Sequence, residues 1–158
     1  MTRGGLGQRA AVFIDLENLV HDERQRMDWT GAERVVRALI PDVSTRAQVV
    51  LCIAVCDGRL ARRLALPLAD HGVRTYTHRG GPDAADWELQ RRLDRDIPAS
   101  CSLVVIASGD HFFAAQAARL RGSGKRVEVA ARNGCISAEL YVQANDFCDL
   151  TVAVSSAA

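Results

Sequence analysis

Continuous apolar runs alternate with amphipathic segments along most of the chain. Each run is short and bounded by polar or glycine-containing stretches, a pattern typical of strands buried on both faces of a parallel sheet. The predicted strands are Ala10–Asp15, Val49–Cys56, Val73–His78, Leu103–Ser108 and Arg126–Ala131, with a further edge strand over Leu150–Val154.

Apolar residues at helical spacing fill the segments between these strands. Thr30 and Glu33 have the spacing of a capping box, and Pro41 is predicted to close the helix that follows. The other predicted helices run from Leu60 to His71 with a bend or end at Pro67, from an Asp83 N-cap through Leu93, from His111 to Arg121, and from Ser137 to Ala144. Strands that alternate with helices predict an α/β fold. We expect one three-layer α/β/α domain over residues 1–158, with a mostly parallel sheet of five or six strands and flexible ends at 1–9 and 155–158.

Composition places the chain among ordinary globular proteins. Its 158 residues are 48% hydrophobic and 25% charged, with a formal net charge of +1. These values disfavour disorder and a strong global field for nucleic acid, so a nucleic-acid site would need local clustering of charge. No apolar run approaches the roughly 18 residues of a membrane span, and no signal peptide is evident. We therefore expect a cytoplasmic protein without membrane contact.

Cysteine and arginine usage adds two further expectations. The five cysteines form no Cys-x-x-Cys pair, which favours reduced, buried thiols over zinc ligands. Of the 20 cationic residues only Lys125 is a lysine. Arginine suits phosphate recognition, but a general bias toward Ala, Arg and Gly explains its abundance as well.

Three aspartates fall where the predicted strands end. Asp15 closes the first strand, Asp110 follows the fourth, and Asp86 lies in the first turn of the helix after Gly80-Gly81-Pro82. Parallel sheets bind ligands outside the carboxyl ends of their strands, near the switch in strand order. Converging carboxylates favour a hard divalent cation. Taken singly, Asp86 could instead complement a helix dipole and Asp110 could be a helix N-cap.

Four segments resemble the NYN branch of the PIN-like ribonucleases. VFIDLENL (12–19) is similar to the first-strand motif of that family, an apolar strand followed by Asp, two variable residues and Asn. PDAADWEL (82–89) is similar to the segment carrying the central Asp of the family, and residues 104–131 match its Ser-Gly-Asp turn, helix and fifth strand. LYVQANDFCDL (140–150) is similar to the closing segment.

The resemblance implies a PIN-like, Rossmannoid fold and a ribonuclease dependent on Mg²⁺ or Mn²⁺. Asp15, Asp86 and Asp110 would be the catalytic metal ligands, while Asn18 and Ser108 would orient substrate or a ligand. One departure concerns Phe112, which stands where the family often carries a further acid. The remaining donors that could contribute are Glu17, Asp57, Asp83 and His111.

An acidic rim needs nearby cations before it can accept a polyanion. Arg79 and Arg132 are predicted to contact phosphate from loops at this rim, with Arg59 as a further candidate; each is equally consistent with a solvated surface residue. Aromatic residues make up only 5% of the chain, so base stacking has few candidates. Trp29 and Trp87 are two, although Trp87 is expected to pack its helix onto the sheet.

Other functions remain open at this point. A non-catalytic NYN-type RNA-binding or regulatory module would account for Phe112. A phosphatase of the haloacid-dehalogenase type also begins with a strand ending in Asp, but here Glu17 takes the place of its second acid and Lys125 enters a strand. Dinucleotide binding and serine hydrolysis lack their glycine motifs. The expected partner is RNA, single-stranded or structured, with a homodimer or protein partner supplying specificity.

Overall fold

A six-stranded parallel sheet forms the middle layer of the protein, in the strand order β3-β2-β1-β4-β5-β6. The computed structural model describes residues 7–20 and 29–151. The strands are β1 Arg9–Asp15, β2 Gln48–Cys56, β3 Arg74–Thr77, β4 Leu103–Ala107, β5 Arg126–Ala131 and β6 Asp146–Asp149. The α/β fold and its parallel sheet are therefore confirmed.

Strand β1 lies at the centre of the sheet because nearly all of its side chains are apolar. Every residue after Arg9 is buried. Phe13 aligns with Ile53 of β2 on one side and with Ile106 of β4 on the other. Strands β2 and β3 lie on one side of β1, and β4, β5 and β6 lie on the other. The strand order therefore reverses between the neighbours β1 and β4, and the predicted switch point is confirmed.

Helices cover both faces of the sheet. They are α1 Leu16–Val20, α2 Trp29–Ser44, α3 Gly58–Ala69, α4 Ala84–Arg95, α5 Ala114–Gly122 and α6 Ala138–Gln143, with a single 3-10 turn at His111–Phe113 before α5. On one face Val12 and Ile14 pack with α2 and α3. On the other face Phe13 packs with α4 and α5. Both layers of apolar contact are needed because alternate side chains of β1 point to opposite faces.

The predicted edge strand over Leu150–Val154 is wrong. The sixth strand is β6, and Leu150 and Thr151 are already helical, while 152–154 lie outside the described residues. Asn145 fixes the earlier register: its backbone N–H donates to the Val127 carbonyl and its side-chain carbonyl accepts from the Val127 N–H, each at 2.8 Å. Because these hydrogen bonds and not an apolar run determine the register of β6, the hydrophobic pattern of the sequence does not predict this strand.

Two prolines do not end their helices where the sequence predicts. Helix α2 continues past Pro41 to Ser44, and α3 includes Pro67. Each proline lies in the last turn, where the missing N–H costs only one helical hydrogen bond. Asp83 also differs from its predicted role, because it precedes α4 in the left-handed conformation with φ of 55° and its side chain forms no capping bond.

The expected tails at 1–9 and 155–158 lie mostly outside the described residues, and Arg9 belongs to β1. Among the helices that the structure describes, none combines the length and apolarity that a membrane crossing requires.

One acidic side chain, Glu128 of β5, is buried on a face of the sheet away from the strand ends. Its side chain is 6% exposed, and both of its carboxylate oxygens accept from Arg46, one of them from Nε at 3.2 Å. Arg46 also pairs with Asp42 at 2.8 Å. The guanidinium therefore compensates a charge that would otherwise be desolvated and unpaired.

We expect Arg46→Ala to lower the free energy of unfolding by about 3 kcal/mol, because it leaves the Glu128 carboxylate buried without a partner. Denaturant unfolding monitored by circular dichroism measures the loss. Arg91→Ala is the matched control, since the Arg91 side chain is exposed and Glu88 keeps its pair with Arg92; it should cost less than about 1 kcal/mol. Adding Glu128→Gln to Arg46→Ala should recover part of the loss. Equal losses for the two arginines would contradict this account.

Candidate active site

Asp15 lies at the carboxyl end of the central strand, where β1 passes directly into α1. The residue is 3% exposed. Its Oδ1 accepts from the Asn18 backbone N–H at 3.1 Å, and the Ser108 hydroxyl donates to its Oδ2 at 3.5 Å. The two bonds fix the orientation of a carboxyl that is almost wholly removed from water.

The Ser-Gly-Asp turn after β4 is tied to the same carboxyl. Ser108 is fully buried, and its hydroxyl accepts from the Asp110 backbone N–H at 3.3 Å. The Asn18 side-chain carbonyl accepts from the Gly109 N–H at 3.1 Å. Asn18 and Ser108 therefore connect the ends of two neighbouring strands, and Ser108 faces Asp15 rather than solvent.

Asp86 reaches this carboxyl from α4. Burial, with the negative charges of Asp86 and Glu17, raises the pKa of Asp15 to about 7. Burial, followed by the charge of Asp110, raises the pKa of Asp86 to about 6. The Asp15 carboxyl hydrogen-bonds to Asp86, an arrangement that raises the pKa of Asp15 and lowers that of Asp86. Without a cation, burial and the repulsion between the two carboxylates therefore favour a proton shared by the pair near neutral pH.

Asp110 combines the functional and the structural interpretation given to it from sequence. Its Oδ1 accepts from the Phe112 N–H at 2.9 Å, so it caps the 3-10 turn. The same oxygen lies 3.1 Å from Nδ1 of His111, whose ring is exposed. Its charge nevertheless acts on Asp86. Asp110 is therefore part of the acidic site and also holds the turn in place.

The three aspartates meet at one edge of the sheet, but not as a closed triad. Among the described residues, the only three ligand atoms of acid, histidine or cysteine side chains within 4.8 Å of one another belong to Asp42, Glu128 and Cys148. Arg46 already pairs with both carboxylates of that second cluster. None of the three aspartates pairs with an arginine in the described part of the chain.

Glu17 and His78 form a contact that the sequence does not predict. Nε2 of His78 lies 2.6 Å from Glu17 Oε1, and Nδ1 accepts from the Gly80 N–H at 3.0 Å. With Nδ1 an acceptor, Nε2 carries the hydrogen and donates to Glu17. The pair joins α1 to the loop before α4. The only signal in the sequence is that Glu17 comes two residues after the first predicted strand and His78 is the last residue of the third.

The predicted phosphate-binding arginines have different environments. Arg79 is exposed on the loop between β3 and α4, whereas Arg59 is exposed in the first turn of α3. Arg132 follows β5 but is 9% exposed, and its Nη2 donates to the Leu19 carbonyl at 3.2 Å. Arg132 therefore holds the last turn of α1 from inside the fold, whereas Arg79 is available to a ligand.

Trp87 is not packed against the sheet, contrary to the prediction. Its side chain is 61% exposed, and Leu89 and Leu93 provide the buried contacts of α4 instead. The indole meets the ring of Phe112 edge to face, with centroids 5.0 Å apart and planes at 87°. The side chain of Trp29 lies outside the described residues. Thus one of the two candidate tryptophans stands at the surface beside Asp86.

The paired carboxyls fit a divalent metal ion. Asp15 and Asp86 offer hard oxygen ligands. In the absence of a cation, the proton they share offsets the repulsion between the two carboxylates, and a bound cation would take over that role. Asp110 could add a third oxygen from the neighbouring turn. The donor set suits Mg²⁺ or Mn²⁺ better than a soft metal.

Gly109 sets how closely the turn packs. A Cβ at this position would lie 1.7 Å from the Cys135 carbonyl oxygen, and the Gly109 carbonyl accepts from the Ser137 N–H at 2.8 Å. We expect Gly109→Ala to cost about 3 kcal/mol of unfolding free energy, because backbone rather than a flexible side chain must move. Gly58→Ala is the control, since nothing lies within 4 Å of its Cβ position. Thermal unfolding compares them, and a stable Gly109→Ala would contradict the close approach.

Stability should fall as pH rises from about 4 to about 7 in metal-free protein. In this window the folded chain binds more protons than the unfolded one, because folding raises the pKa of Asp15 from 3.8 to about 7. Asp15→Asn removes this cost while keeping a polar group of the same shape. We expect the variant to exceed the wild type at pH 8 by on the order of 2 kcal/mol. At pH 4 the two should be nearly equal. Urea unfolding in EDTA measures both; a variant less stable at pH 8 would contradict the assignment.

Comparison with known proteins agrees with this geometry. The family model of the NYN domain matches residues 9–151. The crystal structure of a protein of unknown function from Vibrio parahaemolyticus superposes with a TM-score of 0.72 at 20% identity, covering 90% of this chain and 93% of that one. That likeness shows the fold alone. No curated protein sequence matches the chain. The span of the family match, with an acidic site at the strand ends, shows that the chain belongs to the NYN family of PIN-like nuclease domains.

Proposed function

We propose that this protein is a ribonuclease that hydrolyses RNA phosphodiester bonds with Mg²⁺ or Mn²⁺. The observation that carries the proposal is the buried Asp15 carboxyl hydrogen-bonded to Asp86 at the carboxyl ends of the parallel strands. Membership of a nuclease family supports phosphodiester hydrolysis as the reaction. The oxygen ligands support a hard divalent cation as the metal.

The three aspartates would bind the metal ion, and neighbouring residues would orient the aspartates. Asp15, Asp86 and Asp110 are the ligands proposed. A divalent ion bound there supplies a water of lowered pKa and compensates charge that develops on the phosphate. Asn18 and Ser108 keep the Asp15 oxygens directed toward Asp86. Their contribution is therefore to orient Asp15, a proposed metal ligand, before the substrate binds.

Charge at the rim decides how RNA approaches. Arg79 is exposed on the loop before α4 and would contact a phosphate beside the acids. Arg132 donates to the Leu19 carbonyl, so we assign it the support of α1 and, through α1, of Asn18. Glu17 and His78 close the other side of the site by joining α1 to the Arg79 loop.

A non-catalytic RNA-binding module is the second candidate. It is favoured by Phe112, which stands where the resemblance expects an acid, and by the open spacing of the three aspartates. With fewer oxygen ligands, the site would bind a metal ion more weakly or hold one ion rather than two. Metal binding and turnover therefore have to be measured separately.

Hydrolysis of end-labelled RNA tests the proposal. We expect cleavage with Mg²⁺ or Mn²⁺, none with EDTA, and a loss of at least about 100-fold for both Asp15→Asn and Asp86→Asn. Asp70→Asn is the matched control, because Asp70 follows α3 at an exposed position outside the site. It should cleave at the wild-type rate.

Calorimetric titration with Mn²⁺ separates the two candidates. A ribonuclease should bind Mn²⁺ in the wild type and lose it in Asp86→Asn. Wild-type protein that binds RNA but neither binds Mn²⁺ nor cleaves would establish the module instead. Cleavage that is insensitive to both substitutions would refute the site.

A further inference from the structure

The indole of Trp87 has an open face beside the acidic site. It is 61% exposed, and it is the residue after Asp86 on α4. Phe112 meets it with ring planes at 87°, and a perpendicular contact can cover at most one face of an indole. Tryptophan is enriched among the residues that carry most of the binding energy at interfaces.

The Trp87 indole is also connected to the core of the domain through Phe112. Phe112 packs against Phe113 with centroids 5.6 Å apart, and Phe113 is fully buried in the core. The sequence of contacts runs from the core through two rings to the surface. A tryptophan supported in this way loses little conformational entropy when a flat ligand stacks on it.

Charged side chains of both signs line the groove that the indole borders, with three arginines against the two acids Glu88 and Asp94. The groove, of about 960 Å³, runs along α4 from Arg79 in the preceding loop to Arg95 in the last turn. In the described residues neither Arg79 nor Arg95 pairs with a carboxylate, whereas Arg91 pairs with Glu88. The groove thus offers two uncompensated guanidinium groups along the side of α4 that carries Trp87.

We propose that Trp87 stacks an unpaired nucleobase of the substrate, with Arg79 and Arg95 contacting the phosphates on either side of the groove. The substrate class is therefore single-stranded RNA, because a base within a duplex is already stacked on both faces and cannot lie on the indole. The inference rests on the proposed ribonuclease function, one of whose acids, Asp86, is the residue before Trp87. It adds a subsite that the acids themselves do not define.

Binding of a fluorescein-labelled single-stranded RNA to the Asp15→Asn protein tests the subsite without turnover. We expect Trp87→Ala to weaken binding about 5- to 100-fold, the range for loss of one stacked base. Trp87→Phe should retain most of the affinity. Tyr141→Ala is the matched control, because Tyr141 is another exposed aromatic, 55% exposed on α6. It should leave binding unchanged.

An abasic scan of the same RNA identifies the stacked base. One abasic position should weaken binding to the Asp15→Asn protein and have little further effect once Trp87 is alanine. Duplex RNA should bind both proteins equally. Equal affinity of the Trp87→Ala and parent proteins for single-stranded RNA would overturn the inference and leave the indole as a surface for another protein.

The two proposals fail in different ways. If Trp87 substitution weakens RNA binding but the wild type does not cleave, the stacking subsite stands and the ribonuclease function is lost. If the wild type cleaves single-stranded RNA and Trp87→Ala cleaves with unchanged KM, the ribonuclease stands and the stacking subsite is wrong.

Discussion

Burial of the Asp15 carboxyl at the end of the central strand is the constraint around which the rest of the site is arranged. A carboxylate removed from water is costly unless hydrogen bonds or an opposite charge compensate it. Here Asn18 and Ser108 supply the hydrogen bonds, and a proton shared with Asp86 supplies the neutralisation. In the proposed function, the same arrangement would let the pair exchange that proton for a cation. The cost in stability and the chemical function thus have one origin.

The position of the switch point explains why this carboxyl can have so many neighbours. Since β1 and β4 are adjacent and parallel, both of their carboxyl ends open at the same edge. The turn after β4 can then approach α1 closely enough for Gly109 to donate to Asn18. Cys135 packs on the other side of that glycine, so the loop after β5 also limits the turn. Three strand ends are therefore packed together at the acidic centre.

The sequence predicts the parallel sheet and the edge that carries the acids, because both follow from apolar runs that end in aspartate. It predicts less well where contacts depend on orientation. Trp87 was expected to face the sheet, but the helical face that Leu89 and Leu93 define leaves it outside. The sequence predicts Arg132 on a loop, but in the structure its side chain is buried and donates to the Leu19 carbonyl. Edge strand β6 escapes the hydrophobic pattern because asparagine bonds to β5 determine its register.

Phe112 links two properties of the molecule at one backbone position. Its ring braces the neighbouring indole against the core, and only an apolar side chain can fill that place. An acid there would bring an additional oxygen ligand to the ion and would remove the brace in the same step. At this turn the chain therefore keeps an aromatic support for the Trp87 indole where a carboxylate would offer a further oxygen ligand.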